Sequence, residues 1–180
     1  MSSLAVFLRG INVGGVRISM SALQEALSEA NYDDVATVLA TGNVLLDPGK
    51  RTPDEVKIDI EGVLRSVFGY EAWVIVKTPE QVTQIVSGYP FTRGLSTHHA
   101  YGVLATSAEA LNEVVESVSA ASMEAAGERI AHSDDVLWWE CPKGSSLNTP
   151  VANYLAKAKF KPLVTTRSLN TYEKVLAKLG

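Results

Sequence analysis

The chain has 180 residues, 46% hydrophobic and 20% charged with a net charge of −4, a balance that suits one or two globular domains with a sizeable core. No apolar run reaches the roughly 20 residues of a membrane span, and the N-terminus lacks a signal-peptide layout, so a cytoplasmic protein with no membrane attachment is expected. The single cysteine, Cys141, excludes an intramolecular disulfide and a cysteine-based metal cluster.

Leu4-Ala5-Val6-Phe7-Leu8 is apolar without alternation, the pattern of a central strand covered on both faces. It runs into Arg9-Gly10-Ile11-Asn12-Val13-Gly14-Gly15, with Arg17 just beyond. Glycines at a strand end let backbone N–H groups approach a bound group, and flanking arginines supply forked donors for phosphate or carboxylate. A turn made only to reverse the chain explains the same residues, and both readings stand at this point. The spacing is not that of a dinucleotide fingerprint, nor of a P-loop.

Ser19 or Ser21 is placed to cap a helix over about 20–30, in which Met20, Leu23 and Leu27 form one stripe. Val35–Ala40 and Val44–Asp47 read as strands joined by a tight turn at Thr41-Gly42-Asn43. Thr52-Pro53-Asp54-Glu55 is a strong helix start, and Val56, Ile60, Val63, Leu64 and Val67 supply that helix's buried face before Gly69. Trp73–Val76 is a fourth strand. The order to residue 77 is therefore β-α-β-β-α-β, a ferredoxin-like split unit.

Thr78-Pro79 opens a short helix over 79–87, followed by a loop to Thr97. A fifth strand spans His99–Ala105, and Thr106 with Glu109 has capping-box spacing ahead of a helix striped by Leu111, Val114, Val115 and Val118. Gly127–His132 and Val136–Glu140 read as a hairpin, Thr149-Pro150 as a helix start, Leu163–Thr166 as a short strand and Leu169–Leu179 as a last helix. The second half repeats the first, so the expected architecture is α+β, an α/β sandwich built by tandem duplication of two ferredoxin-like βαββαβ units. The expected division is residues 1–77 for the first unit, 78–98 for a connector helix and loop, and 99–180 for the second unit with an extra C-terminal helix.

Charge is unevenly spread: from residue 141 onward seven Lys and Arg face one acid, Glu173, leaving a strongly acidic remainder. Such asymmetry marks an anion-facing surface or two halves that attract each other. His98 and His99 are adjacent and point to opposite faces of a strand, so one metal does not easily take both. Cys141, beside Trp138-Trp139, reads as a small buried side chain rather than a nucleophile. Thr165-Thr166-Arg167-Ser168-Leu169-Asn170-Thr171 gathers hydroxyls, an amide and an arginine around a helix start, suited either to an anion or to simple capping.

Leu8-Arg9-Gly10-Ile11-Asn12-Val13-Gly14-Gly15, Thr41-Gly42-Asn43-Val44, and Thr165-Thr166-Arg167 followed by Asn170-Thr171 resemble the family called domain of unknown function 1697, in that order along essentially the whole chain. The resemblance implies a bacterial cytosolic α/β protein of two ferredoxin-like halves, with no activity attached to the family. The chain departs from the family's pattern at Ser168-Leu169 and around Lys143-Gly144-Ser145-Ser146.

The expected function is binding of a small anionic ligand, phosphate- or carboxylate-bearing and a nucleotide among the options, between the two halves. Arg9, Asn12, Gly14, Gly15, Arg17, Thr41, Asn43, Arg167 and Asn170 are the expected ligand-binding set. No catalytic residue, metal or cofactor is assigned, and enzymatic activity stays open. The alternatives are a nucleic-acid module using the basic C-terminal region, which would need exposed aromatics on a sheet face, and a non-catalytic partner-binding protein.

Overall fold

The computed structural model describes residues 3–12 and 16–180. Among them, eight strands form two four-stranded antiparallel sheets, accompanied by seven α-helices. The chain divides into two compact units, one running to Gln84 and including Thr171–Gly180, the other Ile85–Asn170. No helix of the described residues is long and apolar enough to cross a membrane.

The first sheet contains β1 (Leu4–Arg9), β2 (Asp33–Thr37), β3 (Asn43–Asp47) and β4 (Trp73–Lys77), in the spatial order β2-β3-β1-β4. The unalternating apolar run is explained by this placement: β1 lies between β3 and β4, and Leu4 to Leu8 are all buried. One face of the sheet packs under α1 (Met20–Glu29) and α2 (Pro53–Phe68). There Val6, Leu8, Val44, Leu46 and Val74 meet Leu23, Leu27, Val56, Ile60 and Leu64 in one cluster. Those five helical residues follow the 3.6-residue spacing that turns one face inward.

Helix α2 starts as its sequence dictates. The Thr52 hydroxyl accepts from Glu55 N–H, and the Glu55 carboxylate accepts from Thr52 N–H at 2.7 Å, a complete capping box with Pro53 at the first helical position. Gly69 closes it in the left-handed conformation, φ 66°. Helix α1 is capped by Ser19, whose hydroxyl accepts from Ala22 N–H at 3.1 Å.

The second sheet has the equivalent order, β6-β7-β5-β8, built from β5 (His98–Ala105), β6 (Arg129–His132), β7 (Val136–Pro142) and β8 (Val164–Ser168). Val103, Leu137, Trp139 and Cys141 pack with Leu111 and Val114 of α4 (Ala108–Ser117), and with Val151 and Leu155 of α6 (Pro150–Leu155). Helix α3 (Pro79–Ser87) lies between the sheets in sequence. The last helix, α7 (Leu169–Leu179), follows directly from β8, yet its residues from Thr171 belong to the first unit. The Tyr172 ring lies 5.3 Å from that of Phe7 in β1, both fully buried.

Four local expectations shift. Helix α5 (Ala120–Ala126) was invisible to periodicity because it buries none of its residues; only the Ser119 cap and Gly127 mark its ends. Strand β2 begins at Asp33, earlier than its apolar residues suggest, because a register shift between Asp33 and Ala36 admits two acidic residues to an edge strand. The β2–β3 connection is a loop over 38–42, not a tight turn at Thr41-Gly42-Asn43. Helix α4 is preceded by Ser107, one residue after the expected Thr106 cap.

Replacing Thr52 by Ala removes one half of the α2 capping box and is expected to lower stability by about 1 kcal/mol in a urea titration, with the slope unchanged.

Candidate functional site

The loop leaving β1 and the loop joining β2 to β3 are held together by one side chain. Asn12 donates from Nδ2 to the Ala40 carbonyl at 2.9 Å and to the Ile18 carbonyl at 3.2 Å, while its Oδ1 accepts from Ile18 N–H at 3.1 Å. Its backbone N–H donates to the Val16 carbonyl at 2.7 Å, and its φ of 55° is one that Asn tolerates better than most residues. The Asn12 amide therefore bonds protein backbone on three sides, on a residue that is itself exposed.

Gly42 makes the second tie. Its φ is +76°, and a Cβ built there would sit 2.7 Å from Ile11 Cδ1 and 3.0 Å from Leu8 Cβ. Only glycine lets the β2–β3 loop lie this close to Ile11, itself buried. The Gly42 carbonyl accepts from Leu8 N–H at 2.8 Å, joining the loop to β1. Asn43, 1% exposed, donates from Nδ2 to the Val38 carbonyl at 2.8 Å and to Thr41 Oγ1 at 3.0 Å, while Val38 N–H returns a bond to the Asn43 carbonyl. Thr41 is exposed at the tip of this frame.

The two arginines of this stretch are Arg9 and Arg17. Arg9 ends β1, half-buried, and burial lowers its pKa from the ordinary value. Arg17 is exposed ahead of α1. Gly14 and Gly15 lie outside the described residues. The first unit thus brings Arg9, Asn12, Arg17, Thr41 and Asn43 to the end of the sheet where β1 finishes and β3 begins. Arg167 and Asn170 lie in the second unit. Arg167, half-buried in β8, donates from Nη1 to Thr165 Oγ1 at 2.8 Å and to the Thr166 carbonyl at 2.9 Å; Asn170 is exposed in the first turn of α7.

The second unit also holds a polar network that sequence reading missed. Glu140, 2% exposed, accepts from Tyr89 Oη at 3.0 Å and from Arg129 Nε at 3.0 Å and Nη2 at 2.5 Å. The Arg129 guanidinium lies 4.7 Å from the centre of the Phe91 ring, so both the charge and the loop carrying Tyr89 and Phe91 are fixed. Burial and the Glu140 carboxylate push the Tyr89 hydroxyl pKa up. Glu128, also buried, accepts from Trp139 Nε1 at 2.8 Å and from Val151 N–H at 3.2 Å. A glutamate inside the apolar run Val136–Cys141, registered opposite Arg129 across a hairpin, was the available signal.

Cys141 lies fully buried in this unit. Desolvation, with Glu128 and Glu140 adding to it, pushes its thiol up to about 11, far from a reactive thiolate. Of the aromatics of the second sheet, Trp139 is buried and stacks on Tyr101 at 4.9 Å, while half-buried Trp138, on the opposite face of β7, donates its indole N–H to the Ile85 carbonyl at 2.9 Å. Among the described residues no three His, Cys, Asp or Glu side chains gather as a metal site requires.

A family model described as "protein of unknown function (DUF1697)" matches residues 1–138. Among solved structures, a conserved bacterial protein from Streptococcus pneumoniae is similar with a TM-score of 0.79 and 19% identity, over 99% of this chain and 98% of that one. An unknown protein from Galdieria sulphuraria is aligned over 93% of this chain and 96% of its own at 12% identity, with a TM-score of only 0.28. No protein with a curated description matches. The pneumococcal likeness extends the fold through the part of the chain beyond the family model.

Two measurements check the geometry. Gly42→Ala is expected to cost roughly 1–3 kcal/mol in chemical denaturation, because Ile11 and Leu8 must yield to the added methyl. Cys141 is expected to resist iodoacetamide in native protein at pH 8 and to react on unfolding. The folded form keeps the thiol proton up to about 11, against an ordinary 9.0, so this group's contribution to stability is present below pH 9 and falls as pH rises from there toward 11.

Proposed function

This chain belongs to the DUF1697 family of proteins of unknown function, and we propose that it binds a small anionic ligand at the turn following β1. The observation that carries the reading is a half-buried guanidinium, Arg9, at the end of β1, where the bonds of Asn12 and the close approach of Gly42 tie the residues leaving that strand to the β2–β3 loop. A guanidinium offers an anion forked, charge-assisted donors, and a rigid frame lowers the entropic cost of binding. Arg17 supplies a second guanidinium, and the Thr41 hydroxyl supplies a donor from the neighbouring loop. Asn12 and Asn43 act from behind, as supports. Gly14 and Gly15 contribute backbone N–H groups in this reading. Arg167 and Asn170 form a second set of similar composition on β8 and α7.

We also read the chain as a tandem duplication of ferredoxin-like βαββαβ units, with the segment 78–98 between them and α7 appended. The shared spatial order of the two sheets supports this. A bacterial cytoplasmic setting belongs to the same proposal and agrees with a lone, buried, reduced cysteine. Trp139, 4% exposed, offers no open platform for a base, which weighs against a nucleic-acid role.

Titration calorimetry with inorganic phosphate, pyrophosphate and nucleotides tests the site. Arg9→Ala is expected to weaken whichever anion binds by about ten-fold or more, the loss of one charge-assisted bidentate contact. Arg17→Ala is expected to weaken it less, from its exposed position. Affinity unchanged in both variants would reject the site.

A further inference from the structure

The first sheet ends on one side in β4, and outward backbone groups of that strand are taken by a single row of α2 side chains. Lys57 Nζ donates to the Val74 carbonyl at 3.0 Å, and Val74 N–H donates to Glu61 Oε1 at 3.0 Å. One turn further on, Arg65 Nη2 donates to the Ala72 carbonyl at 3.2 Å. Residues 57, 61 and 65 are spaced four apart, so they share one helix face. Glu61 pairs with both neighbours, with Lys57 in a short contact and with Arg65 at 3.7 Å, which holds the row in order.

Donor, acceptor and donor therefore meet acceptor, donor and acceptor along the strand, as the backbone of an added strand would. The row sits within reach of solvent: the Lys57 and Arg65 side chains are 31% and 47% exposed, while Glu61 between them is 12% exposed. Packing alone does not call for a charged triplet here, since the core under α2 is already filled by Val56, Ile60 and Leu64. The opposite edge of the sheet carries a different guard, the register shift and exposed Asp33 and Asp34 of β2.

We propose that the Lys57–Glu61–Arg65 row is a strand mimic that closes the β4 edge against pairing with the same edge of a second copy of this chain. Two identical antiparallel edges form a self-complementary two-fold contact, so an opened β4 has a partner in every other molecule. Glu61 is the centre of the device. It is the acceptor for the outward Val74 N–H, and it anchors both cations.

The test combines hydrogen exchange with light scattering across a concentration series, using the full chain. In Glu61→Ala the Val74 amide is expected to exchange at least ten-fold faster than in wild type, and the average mass to rise with concentration. Glu61→Gln keeps a carbonyl acceptor on the same stem and is expected to restore both. Ile60→Val, which weakens the core while leaving the row intact, is expected to give no association, separating edge opening from general loss of stability. A Glu61→Ala protein whose mass follows wild type throughout, or an Ile60→Val protein that associates equally, overturns the proposal. Should Glu61→Ala fail to fold, Lys57→Met with Arg65→Met, which keeps the apolar stems, decides the question: association supports the edge device and its absence rejects it.

Discussion

The geometry of the first unit's functional end rests on one side-chain amide that bonds two loops. Asn12 reaches Ala40 and Ile18, and everything proposed for the neighbouring arginines depends on the loop shape this fixes. Neutral amide bonds of this kind contribute about 1 kcal/mol each, but an unmet carbonyl costs more than a made bond gains. Gly42 is the steric counterpart, since the amide can span the two loops only because nothing occupies the space beside Ile11. The two most recognisable stretches of the sequence are thus two halves of one joint. Part of their distinctiveness therefore belongs to architecture.

The second unit solves a comparable problem with charge instead of amides. Glu140 and Glu128 are buried, and each is met by donors from separate elements: Tyr89 and Arg129 for one, Trp139 and the start of α6 for the other. A buried carboxylate is tolerable only with such partners, so the partners' positions become fixed in turn. That fixes the loop after α3 against the sheet and leaves Cys141 between two acids, chemically quiet.

Much of the fold was legible because the strongest signals were local. The capping box at Thr52 and the stripe through Val56, Ile60 and Leu64 specify α2 without reference to anything distant. The unbroken run at Leu4–Leu8 announces a central strand for the same reason. What escaped depended on partners far away in sequence or on elements with no buried face. Helix α5 carries alanine and serine where a stripe would be. For Asn12 and Asn43 the sequence leaves both uses open, because Gly- and Asn-rich turns serve binding and chain reversal alike; their bonds to the Ala40 and Val38 carbonyls depend on chain segments that only the fold brings alongside. Glu61 was hidden by α2's regular pattern, since its backbone partner on β4 lies 13 residues on.

Helix α7 gives the first unit an unusual dependence on the order of synthesis. Its Tyr172 covers Phe7, and Lys178 donates to the Thr37 carbonyl across a separation of 141 residues. A ribosome translating this message produces β1 to β4 early and supplies their last covering element only after the whole second unit has emerged. The nascent first sheet therefore waits with the Phe7 ring lacking its Tyr172 neighbour, and chains stalled before codon 171 expose that aromatic to chaperones and proteases.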